Sequence, residues 1–125
     1  MLLSAVIGGQ AARILRHSAI TEVMTTASVL AEVEEYAGAM ARKRGLAEDM
    51  VLLAAASLPV NVVPQLVYRG SIQEARKRIG HRDPDDVELL ALALHFKIPV
   101  WSNDRDFEDA GVKWHTTAVL LAKLG

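Results

Sequence analysis

Two acidic clusters carry the residue types that could do chemistry in this chain. Asp83-Pro84-Asp85-Asp86 opens a hydrophobic segment, and Asn103-Asp104-Arg105-Asp106 comes directly after the short apolar stretch Val100-Trp101-Ser102. Clustered carboxylates without histidine or cysteine partners suit hard, oxygen-seeking cations such as Mg²⁺ or Mn²⁺. The usual work of such ions is phosphate chemistry, in which they polarise a phosphoryl oxygen and acidify water. The basic residues Arg76, Lys77, Arg78, His81 and Arg82 immediately precede the first cluster, so phosphate-attracting charge adjoins metal-attracting charge. Each of those cations also has a plainer reading, as a solvated helix end that complements the helix dipole. The four histidines, His17, His81, His95 and His115, show no ligand spacing to one another, which argues against zinc.

The acids themselves admit two readings. Asp at an N-cap, Pro at the first helical position and further acids in the first turn are ordinary helix-start signals. At about 100° per residue, however, Glu88 and His95 form the one polar stripe of the segment, predicted to face solvent. Asp86 falls nearly opposite, with Leu89, Leu90 and Ala93. A carboxylate aimed towards a core needs a metal, an arginine or water, because desolvating an unpaired charge costs several kcal/mol. Asp104 directly succeeds an expected strand, and ligands in open α/β sheets bind beyond the carboxyl ends of strands. Asn103 and Asp106 also have the spacing of a capping pair for a short helix. Asp86 and Asp104 therefore stand out as site candidates, while Asp83, Asp85 and Asp106 stay open between cap and ligand.

These acids must be positioned by the elements around them. The sequence predicts a short helix at Gln10 to His17, with Ile14 and Leu15 inward and Arg13 and Arg16 outward, and a β-branched strand within Ile20 to Thr26. A helix capped by Thr25, Thr26 or Ser28 runs to about Arg44, before Gly45, with Val29, Val33, Tyr36, Ala37 and Met40 as its buried stripe. Glu32 lies on the border of that stripe and Glu34 on the solvent side. Leu46 to Leu58 reads as a helix on which Met50, Leu53, Ala54 and Ser57 share a face. Val60 to Val63 reads as a strand, Ser71 to Ile79 as a helix closed by Gly80, Lys113 to His115 as a last strand and Thr116 to Leu124 as a terminal helix. Alternating helices and short strands argue an α/β fold with a mainly parallel sheet.

The 125 residues suffice for one domain with its own core, expected to span 1–125. A hydrophobic content of 51% with 23% charged residues is that of an ordinary globular chain. No apolar run reaches the length of a membrane span. The chain has no cysteine, which excludes disulfide scaffolds and thiolate metal sites and fits a reducing cytoplasm. Met1 to Ile7 lacks the basic leader of a signal peptide, so a cytoplasmic location is expected. The net charge of −1 gives no global attraction to nucleic acid, and any such binding requires a local basic patch.

Three motifs, in order, resemble the acidic motifs of PIN domains: Glu32 in Ser28-Val29-Leu30-Ala31-Glu32-Val33, Asp86 in Asp83-Pro84-Asp85-Asp86-Val87-Glu88-Leu89-Leu90-Ala91-Leu92-Ala93, and Asp104 in Ser102-Asn103-Asp104-Arg105-Asp106-Phe107. The resemblance extends over essentially the whole chain. It implies a three-layer α/β/α domain around a mainly parallel sheet, acting as a Mg²⁺- or Mn²⁺-dependent ribonuclease. In many small bacterial members that activity is the toxin of a toxin–antitoxin pair, so RNA and a cognate antitoxin are the implied partners. The resemblance implies that Glu32, Asp86 and Asp104 are metal-ligating catalytic carboxylates, that Asp83 and Asp106 are auxiliaries, and that Ser102 orients Asp104 or a water. Arg76, Lys77, Arg78 and Arg82 are the expected nucleic-acid contacts.

The chain departs from the family pattern at its beginning. In the family the first acid ends a central first strand, in a pattern like Asp-x-Asn-x-Leu-Leu, and Met1-Leu2-Leu3-Ser4-Ala5 matches only the positions after that Asp. The expectation is a chain that starts downstream of this strand, without the strand and its acid. Read as complete, the chain would keep three carboxylates, bind metal weakly and lean on a partner strand or a homodimer. Two rival readings stand beside the nuclease. One is a catalytically degenerate PIN-like module that binds RNA or a protein. The other is a small-ligand domain of flavodoxin type, for which no Gly-rich phosphate loop is present.

Overall fold

The computed structural model describes residues 10–15, 17, 20, 22–57, 59–80 and 84–124. Helix α1 (Gln10–Leu15) buries Ile14 and Leu15 and exposes Arg13, as predicted. Strand β1 (Met24–Thr26) passes without a loop into α2 (Ala27–Lys43). Thr26 makes that junction possible: its backbone is extended, and its Oγ1 accepts from the amide of Val29 at 3.1 Å. Beyond Arg44, Gly45 at φ +68° turns the chain, a conformation that L side chains rarely adopt.

The buried face of α2 is Val33, Ala37, Gly38 and Ala41. This corrects the expected stripe, because Tyr36 is 56% exposed. The small residues let α3 (Glu48–Ala56) pack close, and a Cβ at Gly38 would lie 3.1 Å from Oε1 of Glu48. The Tyr36 ring is thereby turned outward. Of the expected face of Met50, Leu53, Ala54 and Ser57, Met50, Leu53 and Ser57 are likewise exposed, and the Ala54 side chain falls outside those described.

Strand β2 (Asn61–Val63) pairs parallel with β1 in the register Met24↔Asn61, Thr25↔Val62, Thr26↔Val63. A short helix that the sequence pattern does not reveal, α4 (Gln65–Tyr68), then runs through a 3₁₀ turn, Arg69–Ser71, into α5 (Ile72–Ile79). Helix α6 (Pro84–Phe96) is the hub and packs against α2, α4, α5, β1 and β3 (Val100–Trp101). Leu90, Ala91, Leu92 and Ala93 are all at most 4% exposed, so four successive residues point into protein and the helix is buried nearly all round. His95, near its end, is exposed as expected.

Beyond β3 the chain makes a 3₁₀ turn, Arg105–Phe107, and continues through β4 (Trp114–His115) to α7 (Thr117–Leu124). Strand β4 pairs parallel with β3. The fold is α/β and every pairing among the described residues is parallel, as predicted. Among the described residues the strands form two separate two-stranded ladders, β1-β2 and β3-β4. The expectation of a missing central strand concerns the chain before Gln10, outside the described residues. The main core cluster gathers residues of α4, α5, α6 and β3 with Phe107 and Ala110. Among the described residues no helix is long and apolar enough to cross a membrane.

Candidate metal centre

Asp86 sits in the first turn of α6, and Asp104 three residues beyond β3. The segment between β3 and the 3₁₀ turn is pinned from several sides. Ser102 Oγ accepts from the Asp104 amide at 3.0 Å, and Asp104 Oδ1 accepts from the Asp106 amide at 2.9 Å. Asp104, not Asn103, therefore caps the 3₁₀ turn. Asn103 Oδ1 accepts instead from the Thr117 amide at 2.9 Å, at the start of α7. Trp114 Nε1 donates to the Ser102 carbonyl at 2.8 Å, and Trp101 Nε1 to Thr117 Oγ1 at 3.0 Å. The outcome is that one carboxylate oxygen each from Asp86, Asp104 and Asp106 lies within 4.8 Å of the other two.

Asp86 and Asp104 line a cavity of about 820 Å³ that is also walled by Met24 and Thr25 of β1 and by Trp101 of β3. Glu32, half-buried on α2, reaches the same cavity. The trio of mutually close acids contains Asp106, expected only as an auxiliary, and not Glu32. An i, i+2 pair around a 3₁₀ start is the signal that could have promoted Asp106. Ser102 lines the cavity too, and its Oγ accepts from the Asp104 amide. His115, which shows no ligand spacing in the sequence, is a further wall residue. Burial, then the nearby charges of Lys123 and Lys113, hold its imidazole below the ordinary value, so it is neutral at pH 7. A trio of carboxylates is an all-oxygen donor set, which fits a hard divalent cation such as Mg²⁺ or Mn²⁺.

Other candidates lie elsewhere. Asp83 and Arg82 fall outside the described residues. Arg76 and Lys77 are exposed on α5 and do not line the cavity. Arg78 is engaged within the fold, where Nε donates to Glu74 Oε1 at 3.1 Å and Nη1 to the carbonyls of Ala110 at 3.0 Å and Gly111 at 3.4 Å. Its part is that of a clamp.

Glu88 departs from its expected place on a solvent stripe. It is half-buried, with Oε2 accepting from Ser28 Oγ at 2.6 Å and Oε1 from Tyr68 Oη at 3.1 Å. Thr26 Oγ1 and Ser28 Oγ share a further hydrogen bond of 3.1 Å. Tyr68 is 1% exposed. Burial first, then the charge of Glu88 and its hydrogen bond, push the phenol pKa up to about 12. A helical wheel of α6 misses this because Tyr68 arrives on α4, which the sequence pattern does not announce.

No curated protein and no solved structure matches the chain. The profile of the PIN domain family, a nuclease fold, matches residues 1–125. The ordered acids, the parallel α/β fold and this full-length match agree: the chain belongs to the PIN domain family.

Proposed function

We propose that the chain is an endoribonuclease that uses Mg²⁺ or Mn²⁺ to hydrolyse RNA phosphodiester bonds, acting in the cytoplasm as the toxin of a toxin–antitoxin pair. The observation that carries this reading is the convergence of Asp86, Asp104 and Asp106 within 4.8 Å in a chain of the PIN family. Asp86 and Asp104 would hold the ion, with Asp106 completing the set and Glu32 contributing from α2. Such an ion supplies Lewis-acid polarisation of the phosphate and acidifies water.

The chain's own residues supply position. Ser102 and the Asp106 amide fix Asp104 from two sides. Neutral His115 lines the site as a hydrogen-bonding group that adds no charge. The toxin role, and with it a cognate antitoxin, rests on the resemblance of the acidic motifs to those of small bacterial PIN toxins.

The test is Mn²⁺-dependent cleavage of single-stranded RNA by the wild type and by Asp86→Asn and Asp104→Asn. Cleavage lost in both supports the reading, and undiminished cleavage in both rejects it. RNA binding by a wild type that cleaves nothing would replace the enzyme with a binding module.

A further inference from the structure

Helix α2 carries a second stripe beside its buried face. Glu32, Tyr36, Met40 and Lys43 recur at four-, four- and three-residue intervals, so they share one side of the helix. Tyr36 lines two cavities at once. One is the cavity of about 820 Å³ that holds Glu32, Asp86 and Asp104; the other, of about 430 Å³, is bounded by Ala39, Met40, Lys43 and Arg44. The acidic site and the basic end of α2 are thus joined through one aromatic ring.

We propose that this stripe is a track for single-stranded RNA, with a base stacked on Tyr36 and the phosphates beyond it held by Lys43 and Arg44. The inference rests on the nuclease reading of the acid cluster and adds to it where the substrate lies. Tyr36 is 56% exposed, so packing does not account for the ring, and a flat aromatic face at the surface is what an unpaired base stacks on. Among the described residues neither Lys43 nor Arg44 is ion-paired, whereas Arg42 beside them is tied to Glu48 at 2.9 Å. The two cations therefore complement a polyanion from a chain whose net charge is only −1. From Glu32 to Lys43 the helix rises about 17 Å, at ~1.5 Å per residue. That length gives the strand a run of contacts rather than a single one.

The experiment is fluorescence anisotropy with a labelled single-stranded oligoribonucleotide and the full chain, in chelator so that no cleavage intervenes. Tyr36→Ala is expected to weaken binding about tenfold, and Tyr36→Phe, which keeps the ring, to bind within about twofold of wild type. Lys43→Gln with Arg44→Gln should flatten the slope of log K against log salt by about 1.4, for two phosphates at ~0.7 each. Wild-type affinity in Tyr36→Ala together with an unaltered slope in the double variant overturns the track. The nuclease reading fails separately: if Asp86→Asn and Asp104→Asn cleave normally while the α2 variants lose binding, the track stands and the assignment of the acids falls.

Discussion

Arg78 Nη1 donates to the carbonyl of Ala110 at 3.0 Å, tying the end of α5 to the loop beyond the Arg105–Phe107 turn. Asp104 caps that turn and Asp106 lies within it, so the clamp holds the chain directly after the two acids. Arg78→Gln should lower stability by about 1–2 kcal/mol, towards the lower end because the side chain is 34% exposed. Urea unfolding should show a lower midpoint with an unchanged slope. The salt dependence of RNA binding should not move, and a flattened slope would restore Arg78 as a phosphate contact.

Gly111 is the counterpart of that clamp. It sits at φ +76°, and a Cβ there would meet Arg78 Nη1 at 2.6 Å. Gly111→Ala should therefore destabilise through backbone strain and by displacing the guanidinium, together about 1–3 kcal/mol. Combined with Arg78→Gln, the loss should be smaller than the sum of the two, because the displaced group is already gone. Strict additivity in a double-mutant cycle would show that Arg78 yields without cost.

Tyr68 sets an alkaline limit on stability. Its phenol is raised from 10.0 to about 12 in the fold, by burial first and by Glu88 second. The folded chain keeps this proton where the unfolded chain releases it, so the contribution is whole below pH 10 and is lost as pH rises through about 12. Thermal unfolding across pH 9–12 should show a fall in Tm that is shallower in Tyr68→Phe. Parallel curves for the two proteins would count against the Glu88–Tyr68 pairing.

Asp104→Asn separates chemistry from structure. The amide oxygen of Asn can still accept from the Asp106 amide, so the 3₁₀ cap survives. Mn²⁺ affinity by titration calorimetry should fall at least about 100-fold, with urea stability of the metal-free chain unchanged or raised as like charge is removed. Unaltered Mn²⁺ affinity would place the ion elsewhere.

Local signals in the sequence suffice for most elements. Pro84, Thr26 and Gly45 mark ends of helices by chemistry that neighbouring residues alone decide. Side chains escape such reading where a distant element decides. Its size puts Tyr36 on the expected buried face, but the packing of α2 on α3 selects Ala37, Gly38 and Ala41, which allow close approach. Glu88 reads as solvated because a helical wheel assumes one buried side, and α6 has protein nearly all round it. Asn103 looks like the cap of the turn beside it, and its Oδ1 instead accepts from the Thr117 amide at the start of α7, fourteen residues on. Asp86 and Asp104 are legible because each lies where a local signal, a helix start or a strand exit, coincides with a carboxylate. That Asp106 rather than Glu32 joins them depends on how the 3₁₀ turn curls.

The two ladders have a consequence for motion. Among the described residues each strand is hydrogen-bonded on one side only, whereas α6 is enclosed by the core. Backbone amides of β1 and β3 should exchange with deuterium far sooner than those of Leu90 to Ala93. Asp86 rides on the enclosed helix, and Asp104 lies three residues past β3. A cation bridging the pair would join a rigid unit to a loose one, and protection of the Val100 and Ser102 amides should rise with its concentration.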